Sequence, residues 1–170
     1  MAFTDCTEQQ ILPFPENKIR RRSYYSGKRK KHTVKNRYMV NKNEIILYKT
    51  RHKQVGRRHD YRIYKKNYPD IPKEVENIFD LGFLGVEKDY PEQISSLPIK
   101  KKKWNQDLTI EEKEYNRIHS KKRIVIIEHA ICRLKKYRIM REVFRNRLRK
   151  YDMVSDIVSG MVNYRIMNSI

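Results

Sequence analysis

Cysteine is nearly absent: Cys6 and Cys132 are the only two in 170 residues. Two isolated thiols make neither a disulfide scaffold nor a zinc cluster, and they suit a reduced, cytoplasmic setting. No run of 18 apolar residues occurs, which excludes a helical membrane span. The opening "MAFTDCTEQQ" has no positive segment leading into an apolar one, so nothing marks export. Glycine is sparse at five residues, and no Gly-rich phosphate loop, CxxC pair or HExxH helix is present. Nucleoside-triphosphate and zinc chemistries therefore find no support. Acids are also short: 20 Asp and Glu stand against 40 Lys and Arg.

The resulting charge of +20 and pI near 10.0 oppose compaction unless a polyanion is the working partner. A hydrophobic content of 38% is too rich for a disordered basic tail, so a folded cationic domain is expected. The charge is clustered. Lys18 to Arg37 carries ten Lys and Arg and no acid, and a second cluster runs from Lys100 to Lys103. Lys121 to Lys150 carries twelve bases against Glu128 and Glu142 alone. Tyr24, Tyr25, Tyr38, Tyr48, Tyr61 and Tyr64 lie among or between these runs, and tyrosine can stack on bases or bond phosphates. DNA is the expected partner, with no membrane; a solvated charged surface is the plainer alternative.

Alternation in "FTDCTEQQIL" predicts a strand ending at Pro13 and Pro15. "RRRSYYSGKRKK" reads as a polar turn with Gly27 at positive φ. "HTVKNRYMV", "NKNE" and "IILYKTRH" read as a β-hairpin, giving a basic hairpin and loop region over 16–52. "GRRHDYRIYKKNYP" reads as a helix opened near Gly56 and stopped by Pro69. "VENIFDLGFLG" suggests a buried strand ending at Asp80, and "EQISSLPIKKKK" an extended piece before a basic loop around Trp104. Thr109 and Glu112 form a capping box, opening C-terminal helices over about 109–168. Ile124, Ile127, Ile131 and Leu134 follow one buried stripe, while Glu128, Cys132 and Lys135 share another face. A last amphipathic helix contains Gly160 as a weak point or a close-packing site. Strands, a helix, a strand and then helices make residues 1–170 a single mixed α/β domain.

Three acids stand out: Asp5 mid-strand, Asp80 after Ile78 and Phe79, and Glu128 beside the apolar stripe of a basic helix. Each alone reads as an ion-pair partner for a nearby Lys or Arg. Together they suit two divalent ions, because carboxylates from neighbouring strands and a packed helix can converge on a two-metal site. Mg²⁺ needs only a few carboxylates plus water and phosphate oxygens. Such a pair activates water or a DNA 3′-hydroxyl for in-line displacement at phosphorus.

The sequence resembles the catalytic part of a DDE-superfamily endonuclease transposase of the insertion-sequence, Harbinger-related type. The blocks that carry the resemblance run in order along nearly the whole chain: "DCTEQQI", "YYSGKRKKHTVK", "GRRHD", "FDLGFLG", "LPIKKKK", "LTIEEKEYN", "RIVIIEHAICRLKKYRI", "FRNRLRKYD" and "IVSGMVNYRI". The resemblance implies a ribonuclease-H-like mixed sheet flanked by helices, with Asp5 on the first, central strand and Asp80 on the fourth. It implies Asp5, Asp80 and Glu128 as catalytic and metal-binding residues, with two Mg²⁺ (or Mn²⁺) ions. It further implies cleavage and strand transfer of DNA at transposon ends and target, in the cytoplasm on the nucleoid. The family signature places Arg four residues before the Glu and Lys seven after. Lys135 fits, but Arg123 lies five before Glu128 and Ile124 takes the expected place. One extra residue turns a helix by ~100°, so either the helix begins later or Arg123 leaves the DNA-facing side.

Lys28, Arg29, Lys30, Lys31, His32, Lys35, Arg123 and Lys135 are the expected DNA contacts. His59 and Asp60 of "GRRHD" are candidate auxiliaries, with helix capping as the simpler role. Cys6 should alternate to the face opposite Asp5 and pack there. Trp104 suits either a base or a satellite core, and Cys132 alone is no metal site. The competing reading is a non-catalytic nucleic-acid-binding remnant or basic accessory protein. Asp5 lies so near Met1 that a truncated or split reading frame is expected, served by a separate helix-turn-helix polypeptide, with homo-oligomers open.

Overall fold

The computed structural model describes residues 1–14, 17–101 and 107–168. The strands, in chain order, are β1 (Ala2–Gln10), β2 (Tyr25–Ser26), β3 (Lys31–Asn41), β4 (Ile46–Lys49), β5 (Gln54–Val55), β6 (Asn77–Ile78) and β7 (Ser95–Ser96). The helices are α1 (Lys18–Tyr24), α2 (Asp60–Lys66), α3 (Val86–Asp89), α4 (Ile110–Arg123), α5 (His129–Lys136), α6 (Arg138–Arg141) and α7 (Tyr151–Met167). Trp104, Lys102 and Lys103, and with them the expected basic loop, lie outside the described residues.

β1 and β3 are the long members of the sheet and pair antiparallel along all of β1, setting Asp5 opposite Tyr38. β2, β4 and β5 pair with β3, while β6 and then β7 continue the sheet in parallel beyond β1. β1 is therefore central. Its alternation sends Phe3 and Asp5 to one face and Thr4 and Cys6 to the other. Phe3 joins Val34, Ile78, Ile127, Leu134 and Val158 in a core under α5 and α7. Cys6 leans on the opposite cluster of Tyr64, Phe79, Phe83, Val86 and Leu97. Helices thus cover both faces of a mixed sheet, with a helical C-terminal region, which is the ribonuclease-H-like arrangement.

Polar stitches hold α7 to the hairpin. The Asn163 side chain accepts from the Ile46 N–H at 2.8 Å and donates to its carbonyl at 2.9 Å. Asp152 meets Lys53 and Asp156 meets Lys49. Such groups make up for the sparse apolar surface of a chain with mean hydropathy −0.91.

Several local expectations need correction. The basic stretch before Gly27 is helical, because Asn17 caps the Arg20 N–H at 2.8 Å and arginine is a good helix former. The left-handed residue of the following turn is Lys30 (φ 55°), not Gly27. α2 starts at Asp60 rather than near Gly56, whose missing side chain instead lets the backbone abut Thr33; a Cβ there would lie 2.0 Å from Thr33 Oγ1. The second hairpin strand is shorter than expected, running only over β4, and β5 is a further short strand beyond it. Asp80 lies two residues beyond β6, the sixth strand rather than the fourth, because the two-residue strands β2 and β5 precede it. Gly160 is exposed with nothing within 4 Å of an added Cβ, so it is no close-packing site.

The decisive local feature lies between α4 and α5. The Thr109–Glu112 capping box is present and opens α4. Ile124–Glu128 then forms a single π-helical turn before α5 resumes the α-helix. A π turn bonds i to i+5 and so absorbs one extra residue. Ile127, Ile131 and Leu134 are buried as the stripe requires, but Ile124 is 40% exposed, because the wider turn rotates it outward.

Candidate active site

Between β1 and β6 the pairing ends at Phe3 and Ile78. The β6-side edge of β1 beyond Phe3 is left open where the parallel strands present their carboxyl ends, a recurrent place for ligand crevices in such sheets. A cavity of about 400 Å³ fills that opening. Asp5 reaches it from β1, Asp80 from the end of β6, and Glu128 from the last residue of the π turn. Lys28, Arg29, Arg123 and Lys135 supply a cationic rim.

Asp5 and Asp80 are half-buried and Glu128 is exposed. The Asp5 carboxyl is pushed up to about 6, first by burial and then by the negative charge of Asp80. Arg123 and the Cys6 N–H, which donates to Oδ1 at 2.7 Å, work against that rise. Arg123 Nη1 lies 3.1 Å from Asp5 Oδ2. The expected displacement of Arg123 is therefore corrected: the π turn takes up the extra residue and keeps Arg123 and Glu128 on one cavity. Asp80 accepts from the Gly82 N–H at 2.8 Å and caps the short 3₁₀ turn Leu81–Phe83. Burial, then neighbouring Arg29, lowers the Lys135 ammonium.

The sequence from residue 4 to 163 matches the family described as DDE superfamily endonuclease. The chain belongs to that family. It is also 33% identical over 166 residues to the probable transposase for insertion sequence element IS702 of Microchaete diplosiphon. That match covers 98% of this chain and 57% of the relative, so the chain spans little more than half the relative's length. No solved structure matches it.

Within this DDE superfamily member, the remaining expected residues separate into groups. Lys28 and Arg29 line the acid cavity, whereas Lys30 and Lys31 are exposed on the turn before and at the start of β3. Lys35 is buried and engaged, 2.8 Å from Asp60 and 3.3 Å from Glu8, with the Arg58 carbonyl at 3.0 Å. Burial alone would lower its pKa; Asp60 and Glu8 more than reverse that and raise it. Its placement fits a strut for Asp60 better than a phosphate contact. Asp60, beside Asp80, and Glu8 also line the cavity, so five carboxylates do among the described residues. His59 caps α2 and faces a different groove. His32 lies edge-on to Tyr25, away from the acids.

Sequence reasoning missed Glu8, whose register directly opposite Lys35 was the available signal. It placed Cys132 on the Glu128 face, and Cys132 does line the cavity.

Among the described residues, no three His, Cys, Asp or Glu side chains draw together tightly enough to form a preformed cage. The donors still suit a hard cation. They are carboxylate oxygens, and Mg²⁺ takes only one or two of these and completes its shell with water and phosphate. Burial raises the Asp5 carboxyl first and the charge of Asp80 second, and a cation beside the two carboxylates would relieve the second cause.

Proposed function

We propose that this chain carries the catalytic centre of a transposase that cleaves and rejoins DNA strands at transposon ends and target, using Mg²⁺ or Mn²⁺. The observation that carries this reading is the convergence of Asp5, Asp80 and Glu128, distant in sequence, on one cation-rimmed cavity. Asp5 and Asp80 would hold the metal, with Glu128 completing the site. The bound ions would supply Lewis-acid activation of the attacking oxygen and stabilise the leaving one.

The protein's own groups account for binding and orientation. Lys28, Arg29 and Lys135 meet the DNA backbone, whose phosphates require neutralising charge wherever the strand enters. Arg123 fixes the rotamer of Asp5 through its 3.1 Å contact and adds positive charge where the scissile phosphate would lie. Lys35 and Asp60 form an internal pair that sets the wall between β3 and α2. No helix among the described residues is long and apolar enough to cross a membrane.

The test is nicking of supercoiled plasmid by the purified chain with Mg²⁺ or Mn²⁺ and with EDTA. Metal-dependent nicks support the reading. DNA binding without nicking under every metal condition supports the non-catalytic alternative.

A further inference from the structure

Beside the acid cavity lies a second cleft, about 670 Å³, bounded by α1, the β2–β3 turn and the segment after β5. Lys18, Arg21, Arg22 and Arg57 line it together with Tyr25 and His32, and no carboxylate does among the described residues. None of its four cations forms an ion pair with a described residue. In the acid cavity Lys35 and Arg123 are held by carboxylates, and Lys28, Arg29 and Lys135, which form no ion pair with a described residue, share their cavity with several acids. Four cations in one concavity that no described acid neutralises repel one another, and a polyanion would relieve that repulsion.

The aromatic pair narrows the choice of polyanion. Tyr25 is 41% exposed, and its ring sits 5.5 Å from that of His32 with planes 70° apart. In an edge-on contact the edge of one ring meets the face of the other, so the pair is not closed face to face, and both residues line the cleft. Bases in a duplex are already stacked and cannot offer a face to a side chain. An unpaired base can, and aromatic platforms set among cations are how proteins hold single strands.

Position adds a third argument. Gly27 lines this cleft, while the next two residues, Lys28 and Arg29, line the acid cavity. The two sites are therefore joined by one turn, held in place by the left-handed Lys30 and by the pairing of β2 with β3.

We propose that this cleft is a subsite for an unpaired nucleotide of the DNA strand flanking the scissile phosphate. Tyr25 and His32 receive the base, and Lys18, Arg21, Arg22 and Arg57 receive its phosphates. The assignment deepens the endonuclease reading above and rests on it.

The experiment is equilibrium binding in EDTA, where cleavage cannot occur. The full chain is titrated with a labelled blunt duplex, the same duplex bearing a three-nucleotide single-stranded overhang, and the same overhang with abasic sugars. The overhang should improve affinity roughly tenfold over the blunt duplex, as base–aromatic stacking allows, and the abasic overhang should lose most of that gain. Tyr25→Ala should abolish the gain without changing blunt-duplex affinity, and Tyr25→Phe should restore it. Replacing Arg21 and Arg22 by Ala should flatten the salt dependence for the overhang probe more than for the blunt one.

Equal affinity for all three probes, or equal losses on blunt and overhang DNA from Tyr25→Ala, would overturn the subsite. Plasmid nicking by the unmodified chain, read in parallel, separates the two levels. Nicking with no overhang preference removes the subsite alone, and absence of both nicking and DNA binding removes the parent reading with it.

Discussion

Arg123 and Asp5 lie 118 residues apart in sequence, yet the guanidinium Nη1 stands 3.1 Å from the carboxylate. The contact occurs together with the π turn at Ile124–Glu128. In an unbroken α-helix the five-residue spacing from Arg123 to Glu128 would set the two side chains on different faces. In the π turn they face one cavity. Here a local irregularity in the hydrogen-bond ladder brings Arg123 and Glu128 to the same cavity.

Deleting Val125, an exposed residue of that turn, should convert it to regular α-helix and leave Arg123 four residues before the Glu. The shortened chain should melt at the same or a higher temperature and nick DNA within about threefold of the parent, since both registers place the pair on one face. Thermal melts and plasmid nicking check this. Loss of nicking with an intact fold would mean that the π geometry itself is required.

Asp5 carries a measurable pH signature. Its folded pKa of about 6 lies above the ordinary value of 3.8, mainly through burial. Between those values the folded state binds more protons than the unfolded one, so stability falls as pH rises from 4 to 6. Above that window the ionised carboxylate costs about 2–3 kcal/mol. Asp5→Asn should therefore raise the melting temperature at pH 7.5, show little difference at pH 4, and abolish cleavage. Mg²⁺ should stabilise the parent more at pH 7.5 than at pH 5, where protons compete. An Asp5→Asn chain less stable than the parent at pH 7.5 would contradict this.

Gly82 shows how closely Asp80 is held. A Cβ at Gly82 would meet Asp80 Oδ1 at 2.8 Å, the oxygen that accepts from the Gly82 N–H. Gly82→Ala should displace the carboxylate and lower the nicking rate by at least ~10-fold, because small misplacements at a reacting centre are expensive. DNA affinity should stay unchanged. Nicking at the parent rate would show that Asp80 is not positioned by this turn.

At Gly160 the opposite is expected. The residue is mid-helix in α7, exposed, and open to an added methyl. Gly160→Ala should stabilise the fold by about 0.5–1 kcal/mol without altering nicking, by removing unfolded-chain freedom. Chemical denaturation measures it.

Much of this was legible in the sequence. Alternation located β1 and β3, the spacing of Thr109 and Glu112 located the start of α4, and the three acids could be picked out by their settings. Their grouping drew on the resemblance as well. What could not be read was set by packing rather than by pattern. Nothing in "RIVIIE" distinguishes a π turn from an α-helix, because the same isoleucines serve either; only the pull of Asp5 on Arg123 and the buried stripe from Ile127 decide it. The left-handed turn residue is Lys30 because strand pairing on both sides fixes the turn, although Gly27 is the intrinsically permissive position. Lys35 counts as one more cation in the sequence, yet its register opposite Glu8 and the approach of α2 turn it inward.

The most direct test of the three-acid centre is Asp80→Asn, with DNA binding and metal-dependent nicking measured on the same preparation. The account predicts that nicking in Mg²⁺ or Mn²⁺ disappears while affinity stays equal or tightens slightly, since a negative charge leaves the phosphate path. Nicking that persists at the parent rate in a folded, DNA-binding Asp80→Asn chain would contradict it.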